Sequence, residues 1–330
     1  MLGFVYYVMM CLCTVDSINQ LRLYNNKAIQ SLPFFPNIKS LVVQHVPNIN
    51  TQSIADLTTL THLRIFENNR ITDDAIHNLI DLEDVSLSSC SNITDNAFVN
   101  LTNIHTFDFF QCPKLTRTFL HHLPNLTSLY TGNFNDVQDD HIQHLQHMCI
   151  LNISTAINIT SKAFYRLNNI HTLIVRNCVK LTDDMFLHMN HDTLRSVDIS
   201  GCKNLTSDVF AYFTHVHKLT MNECNQTSIS NHAFQHLINL RDAFSYLHNV
   251  YRLNMCYCSQ PTITDNVFQH LHSVQELNIL GCNKSTITEA GYRHLATHVS
   301  LKRLYIGDPC AERIFADTST QLTLSSSHAC

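Results

Sequence analysis

The sequence predicts an α/β fold in which one short unit is repeated along almost the whole chain. The apolar pattern L-x-x-L-x-L-x-x-C recurs, for example from Leu82 through Val85 and Leu87 to Cys90. Its first apolar residue returns six times at steps of 22 residues and then at looser spacing, at Ile38, Leu60, Leu82, Ile104, Leu126, Met148, Ile170, Leu194, Val216, Val250, Val274 and Leu301. A fixed period in the twenties with this pattern is typical of a leucine-rich-repeat solenoid.

Each repeat is expected to contain a strand, a turn and a short helix. The L-x-x-L-x-L segment alternates apolar and polar residues, as in a strand with one buried face. A step such as Ile93–Asp95 turns the chain, and its Thr or Asp suits a helix N-cap before the apolar stripe of Ala97–Leu101. Stacked repeats would form a curved parallel β-sheet on the concave side, with short helices on the convex side.

One helix position is predicted to fill the core in every repeat. It is occupied by Ile76, Phe98, Leu120, Ile142, Phe164, Phe186, Phe210, Phe234, Phe268 and Tyr292. Phenylalanine at this spacing indicates packing between helix and sheet, and it gives no reason to expect a cofactor.

The chain has 13 cysteines, and most of them stand in the repeat register. One column is formed by Cys90, Cys112, Cys178, Cys202, Cys224, Cys258 and Cys282. We expect reduced, buried thiols that act as small apolar side chains, which favours an intracellular setting. Cys256 and Cys258 should point to opposite faces of a strand, which argues against a shared metal ligand.

The repeats set the expected domain organisation. Residues 1–17 are interpreted as a truncated N-terminal repeat or cap, residues 18–310 as the solenoid and residues 311–330 as a polar C-terminal tail. The interval from Val216 to Val250 is 34 residues, because the helical half of a repeat is duplicated there without a strand. We predict that the strands after Val216 and Val250 pair directly, leaving Leu237–His248 as extra helix on the convex side.

Composition argues against several classes of function. Lys and Arg total 21 against 26 Asp and Glu, a net charge of −5, so a nucleic-acid groove is not expected. No P-loop, zinc-protease or serine-nucleophile motif occurs, so we expect neither an enzyme nor a cofactor. The 22 histidines include one recurring helix position that should face solvent, so no metal site is expected: His122, His144, His188, His236, His270 and His294.

The Cys-ended repeat with its Ile/Leu-Thr-Asp step resembles the cysteine-containing leucine-rich repeats of F-box/LRR proteins over nearly the whole chain. The clearest copies are Leu82–Leu101, Ile170–Met189, Leu194–Phe213 and Val274–Leu295. In that family the repeats select substrates for a cullin-type ubiquitin ligase and a separate F-box docks the adaptor. The resemblance therefore implies ubiquitin-ligase components as partners. The Asp-x-Ala-Phe step is also similar to bacterial-surface-type repeats found in some protists.

Three functions remain open from the sequence. The leading one is a non-enzymatic, monomeric, cytoplasmic scaffold that binds a protein on its concave sheet. The second is a substrate receptor of an SCF-type ubiquitin ligase whose F-box is absent from this chain, since 17 residues before the first repeat cannot hold that module. The third is a secreted or surface adhesin, favoured by eight Asn-x-Ser/Thr sequons such as Asn92, Asn158 and Asn204 and by the apolar first 15 residues, although those residues lack a basic start and are too short to span a membrane.

Residues that flank the second and third apolar positions should project from the concave sheet. The residues predicted to bind a partner there are Arg64, Phe66, Asp108, Phe110, Tyr130, Arg176, Asp198, Tyr257 and Tyr305. Exposed aromatic and Arg side chains are enriched among binding hot spots. Phe66, Asp108, Phe110 and Tyr130 are expected to be neighbours, either as an acidic and aromatic binding patch or as side chains that only cover one another.

Overall fold

The computed structural model describes residues 18–131, 135–235, 250–298, 300–316 and 323–325. The chain divides into two compact units, one of residues 1–133 and 140–148 and the other of residues 134–139 and 149–330. The truncated repeat predicted for residues 1–17 and the extra helix predicted for Leu237–His248 lie outside the described residues.

In the first unit, each strand pairs in parallel with the next one along the chain. The strands are β1 Gln20–Tyr24, β2 Ser40–Gln44, β3 His62–Phe66, β4 Asp84–Ser88, β5 Thr106–Phe110 and β6 Ser128–Thr131. Between them lie the α-helix α1 Thr51–Ala55 and the 3₁₀ helices Asp73–Ala75, Asp95–Phe98 and Arg117–His122.

The second unit repeats this arrangement. Its strands are β7 Ile150–Asn152, β8 Thr172–Ile174, β9 Ser196–Asp198, β10 Lys218–Thr220, β11 Arg252–Asn254, β12 Glu276–Asn278, β13 Arg303–Tyr305 and β14 Thr323–Ser325. The α-helices from this point on are α2 Asp139–Ile142, α3 Asn231–Gln235, α4 Glu289–Leu295 and α5 Pro309–Ala316, and the 3₁₀ helices are Ser161–Phe164, Asp183–Leu187, His191–Thr193, Ser207–Tyr212 and Asp265–His270.

Two details of the second unit bear on the predicted organisation. Strand β10 pairs directly with β11 across the long interval, as predicted. Strand β14 pairs in parallel with β13, so the sheet continues into the range 311–330 that the sequence assigns to a polar tail.

The apolar positions of the repeat form the core, which confirms the leucine-rich-repeat solenoid. All twelve opening residues of the pattern, from Ile38 to Leu301, are buried, and so are all ten residues of the predicted core position from Ile76 to Tyr292. Each repeat therefore buries its apolar residues between a strand and a short helix, and the opposite side of the strands is left for polar and aromatic side chains.

Thr and Asp side chains at the turn connect each repeat to the next. Thr94 caps the helix that follows it, since its side chain accepts a hydrogen bond from the N–H of Asn96. The Asp after a capping Thr reaches the following repeat, where Asp73 accepts hydrogen bonds from the N–H of Thr94 at 2.7 Å and from its hydroxyl at 2.6 Å. The same clasp recurs in the pairs Asp95–Thr116, Asp139–Thr160, Asp183–Thr206 and Asp265–Thr288. The sequence suggested only the cap and missed the clasp.

The cysteine column closes the strands, as predicted. All seven of its thiols are free, and each donates to a backbone carbonyl of the preceding repeat, as Cys178 does to Ile153 at 3.3 Å. Burial raises the pKa of the Cys178 thiol to about 11. Cys256 lies outside this column, is fully buried and forms a disulfide bond, so the expectation of reduced thiols is wrong for this residue.

Candidate protein-binding surface

The strand side chains that point away from the helices form the open face of each unit. In the first unit, one row of this face runs through Arg64, Ser86, Asp108 and Tyr130 on β3 to β6. A second row runs through Phe66, Ser88 and Phe110 on β3 to β5. Since neighbouring strands lie roughly 4.8 Å apart, side chains in one row are direct neighbours only on consecutive strands.

The register brings together part of the predicted aromatic patch and separates the rest. Asp108 lies beside Tyr130 on the next strand, and Phe110 follows two residues later on the same face. Phe66 is not their neighbour, because Ser88 of the intervening strand stands between Phe66 and Phe110. The expectation that the two Phe side chains cover one another is therefore wrong, and Phe110 remains 45 % exposed.

The two charged members of this face are held differently. Asp108 accepts one hydrogen bond from the Ser86 hydroxyl at 3.2 Å. Burial raises the pKa of the Asp108 carboxyl above its ordinary value, and the Ser86 hydrogen bond opposes that shift. Arg64 lies 3.6 Å from the Asp84 carboxylate and is exposed. Solvent screens such exposed pairs, so both side chains remain available to a partner.

A layer of aromatic rings supports this face from below. Phe107 and Phe109 point inward from β5 and pack against Phe98 and Phe119 of the helices, with ring centroids 5.0–5.6 Å apart. The Arg117 guanidinium lies 4.9 Å from the centre of the Phe109 ring. Interlocked rings leave a strand little freedom, so Phe110 and Asp108 project from a firm base.

In the second unit, the predicted residues are distributed over several environments. Asp198 is only 5 % exposed, because its carboxylate accepts hydrogen bonds from Arg176 at 2.6 Å and from the Ser200 N–H and hydroxyl at 3.0 and 2.7 Å. Asp198 therefore holds the sheet together, and the sequence was wrong to predict it as a projecting contact residue. Arg176 remains exposed above it.

Tyr257 lies in the turn after β11 and not on the strand itself. Its φ of +56° is in the left-handed region, a conformation shared by the equivalent residue of most repeats. The next repeat has Gly281 at this place, and a Cβ atom there would lie 2.2 Å from the Tyr257 ring. Gly281 thus makes room for Tyr257, whose ring stays 47 % exposed.

A depression of about 380 Å³ lies on the open face of the second unit. Tyr305 and Arg176 line it, together with residues that the sequence analysis did not select, namely Lys218, Leu219, Thr220, Asn222, Arg252, Leu253, Asn254, Glu276, Leu277 and Asn278. Lys218, Arg252 and Glu276 occupy the strand position just before the second apolar residue, which was not among the positions chosen. Their signal in the sequence is a run of charged residues at one repeat position.

The recurring helix histidines are at least partly exposed wherever the structure describes them, whereas His236 lies outside the described residues. The rings of His121 and His144 lie 4.6 Å apart, and His144 also contacts the Leu120 carbonyl at 3.0 Å. Among the described residues, no group of three or more His, Cys, Asp or Glu side chains is placed to hold a metal ion. Within the same residues, no helix has the length and apolar character needed to cross a membrane.

Sequence comparison identifies the repeat class. A family model described as a BspA-type leucine-rich-repeat region matches residues 23–146 and 142–255, in six copies. A search of curated protein sequences found no match.

Solved leucine-rich-repeat structures share the fold at low sequence identity. Yeast Rad7, solved in complex with Elc1, aligns with a TM-score of 0.60 and 17 % identity over 87 % of this chain and 81 % of that chain. An internalin (InlF) of Listeria monocytogenes aligns with a TM-score of 0.61 and 19 % identity over 95 % and 88 % of the two chains. Drosophila Toll, in complex with Spätzle, aligns with a TM-score of 0.59 and 15 % identity over 87 % of this chain and 40 % of that chain. Such identities establish similarity of fold alone.

Proposed function

The chain belongs to the BspA-type leucine-rich-repeat family, and on that premise we propose that it is a non-enzymatic scaffold that binds a partner protein on the open face of its first unit. The observation that carries the proposal is the exposed Phe110 ring beside Asp108 and Tyr130. Aromatic side chains that stand exposed on a rigid strand are enriched at the centres of protein interfaces. The Rad7–Elc1 and Toll–Spätzle structures are complexes with other proteins, which supports a protein as the class of ligand.

The aromatic layer beneath the face lowers the entropic cost of binding. Side chains that must become ordered at an interface oppose association, whereas a surface that is already ordered avoids much of that cost. Phe107 and Phe109 lock β5 to the helices, so Phe110 and Asp108 are presented in fixed positions. This arrangement supports a binding surface that is formed before the partner arrives.

The proposal is tested by affinity capture with the purified chain, comparing wild type with Phe110→Ala and Tyr130→Ala. We expect both variants to lose a captured partner while their unfolding midpoints stay close to wild type. Val99→Ala is the matched control, because Val99 is an exposed apolar residue on the helix side of the same unit. Retention of every wild-type partner by both aromatic variants would remove the first-unit face from consideration.

A substrate receptor for an SCF-type ubiquitin ligase is the second candidate. It is supported by the repeat chemistry shared with F-box/LRR proteins and by the similarity of fold to Rad7. Mass spectrometry of complexes purified from cells tests it, since a receptor would bring cullin-type ligase subunits with it. Their absence from complexes that do contain a first-unit partner would separate the scaffold from the receptor.

For location we propose the cytoplasm, with a secreted or surface adhesin as the alternative. The disulfide at Cys256 favours the alternative. The sequons favour it less, because the Nδ2 atoms that would carry glycans donate to backbone carbonyls of the preceding repeat: Asn92 to Asn69, Asn158 to Asn135 and Asn204 to Val179. Endoglycosidase treatment of the native protein distinguishes the two, since a mobility shift would indicate the secretory route.

A further inference from the structure

A row of charged side chains crosses the open face of the second unit. Lys218, Arg252, Glu276 and Arg303 occupy equivalent positions on the consecutive strands β10 to β13. The Glu276 carboxylate is shared by its two neighbours, with one oxygen 2.9 Å from Arg252 and the other 3.0 Å from Arg303. This leaves Lys218 exposed at the end of the row, with no carboxylate within ion-pair distance among the described residues.

The charge of this face is opposite in sign to that of the chain. On β8 to β13 and the residues just after them, the open face carries Arg176 in addition to the three cations of the row, while its carboxylates are Asp198 and Glu276. Four cations against two carboxylates leave an excess of two positive charges on the face of a chain whose net charge is −5. Both carboxylates are already paired with Arg side chains, so the unpaired positive charge is centred on Lys218.

The depression gives this charge a bounded site. Lys218 and Arg252 stand side by side at its edge, and Tyr305 contributes an aromatic wall. Its volume of about 380 Å³ is near the lower end of the range for small-ligand sites, roughly 300–1,000 Å³. Two cations side by side repel each other, and a carboxylate placed between them would relieve that repulsion.

We propose that this depression binds an extended acidic segment of a partner protein, with a Glu or Asp carboxylate of that segment held by Lys218 and Arg252. The inference rests on the proposed scaffold function and adds a second contact region with a defined charge. A nucleic acid fits the face less well, because the carboxylates of Asp198 and Glu276 interrupt the row of cations that a phosphate backbone would need. An acidic peptide requires only one or two carboxylates at the cations.

The test uses the purified full chain and a capped hexaglutamate peptide as the probe, with capped hexaglutamine and hexalysine for comparison. We expect fluorescence anisotropy at low ionic strength to detect hexaglutamate binding that weakens as salt is added. Lys218→Met should lower the affinity roughly ten-fold, the order expected for losing one charge-assisted contact. Lys162→Met is the matched control, because Lys162 is an exposed lysine on a helix of the same unit.

Several outcomes would overturn the inference: no hexaglutamate binding by the wild-type chain, equal binding by Lys218→Met, equal binding of hexalysine, or tighter binding of a polyuridine oligonucleotide than of the peptide. Phe110→Ala should bind hexaglutamate as the wild type does, because Phe110 belongs to the other unit. Loss of partner capture in Phe110→Ala without any hexaglutamate binding would therefore reject this site alone. Hexaglutamate binding with unchanged partner capture in the aromatic variants would reject the first-unit surface alone.

Discussion

Strands β5 and β9 have the same pattern of inward and outward residues, and both have an Asp at the centre of the open face. In β5 the residue two places after Asp108 is Phe110, whereas in β9 the residue two places after Asp198 is Ser200. Ser200 donates both its N–H and its hydroxyl to Asp198, and Arg176 on the preceding repeat adds a third donor. Asp108 has only the Ser86 hydroxyl at 3.2 Å, so it stays exposed.

The inner sides of the two strands differ as well. Phe107 and Phe109 fill the core beneath β5, while Val197 and Ile199 do so beneath β9. The same backbone therefore carries an aromatic face on an aromatic base in the first unit and a polar, basic face on an aliphatic base in the second. The comparison teaches that the function of one repeat position is set by its neighbours two residues away and one repeat away.

The largest expected effect separates the two sides of β5. Phe107→Ala should lower the free energy of unfolding by about 3–5 kcal/mol, because it removes a fully buried ring from the aromatic layer. Phe110→Ala, the same change on the opposite side of the strand, should stay within about 0.5 kcal/mol of wild type. Urea denaturation followed by circular dichroism measures both. Similar losses in the two variants would mean that Phe110 belongs to the core and not to a binding face.

A smaller effect tests the two Asp residues against each other. Asp198→Ala should cost about 1–3 kcal/mol, since it leaves the buried Ser200 N–H and the Arg176 guanidinium without their acceptor. Asp108→Ala should change the free energy of unfolding by less than about 0.5 kcal/mol. The same denaturation assay applies. Equal costs would contradict the assignment of Asp198 to structure and of Asp108 to the surface.

The cysteine column of the second unit should tolerate a hydroxyl at a modest cost. Cys178→Ser is expected to lose about 1 kcal/mol, because the hydroxyl keeps the Ile153 carbonyl as an acceptor but is harder to bury than a thiol. Thiol titration gives an independent measurement: the column cysteines should react slowly in the native protein and fully after denaturation. Rapid labelling of Cys178 in the native protein at neutral pH would contradict its burial and its raised pKa.

The smallest effect concerns the protonation of Asp108. Its pKa is raised by burial, so the folded protein binds more protons than the unfolded chain between the two pKa values. Stability from this group is therefore greatest below the unfolded pKa and falls as pH rises through the folded pKa, by less than about 1 kcal/mol because solvent screens the site. Asp184 in the second unit should titrate in the opposite sense, since hydrogen bonds from Ser161 and Thr182 lower its pKa.

Phe110→Ser would give β5 the outward residues of β9. The new hydroxyl, two residues after Asp108, could donate to its carboxylate as Ser200 does to Asp198. The pKa of Asp108 should then fall, which an NMR titration of the carboxyl carbon would detect. An unchanged Asp108 titration would show that Ser200 is not what distinguishes the two strands.

The sequence predicted the solenoid well because the apolar period is a property of single repeats. The openers and the Phe position are buried by contacts within a repeat and with its immediate neighbours, so a local pattern is enough to find them. The direct pairing of β10 with β11 followed from the same reasoning, since two opener segments must meet when no strand lies between them.

The binding face was predicted less accurately because it depends on contacts between repeats. Phe66 and Phe110 looked adjacent along the chain of aromatic residues, but the strand that carries Ser88 lies between them. The burial of Asp198 required a donor from Arg176, 22 residues earlier. Lys218 was missed because its row became visible only once the register of β10 to β13 was known.

The clasp between Asp of one repeat and Thr of the next also bears on how such a chain can change its length during evolution. The acceptor always lies on the earlier repeat and the donors on the later one, as in Asp73 with Thr94 and Asp95 with Thr116. Excision of one whole period would rejoin Asp73 to Thr116, a donor pair of the same geometry. A deletion out of phase would leave an Asp facing no hydroxyl, so gain and loss of repeats should be tolerated in whole periods and selected against in fractions of one.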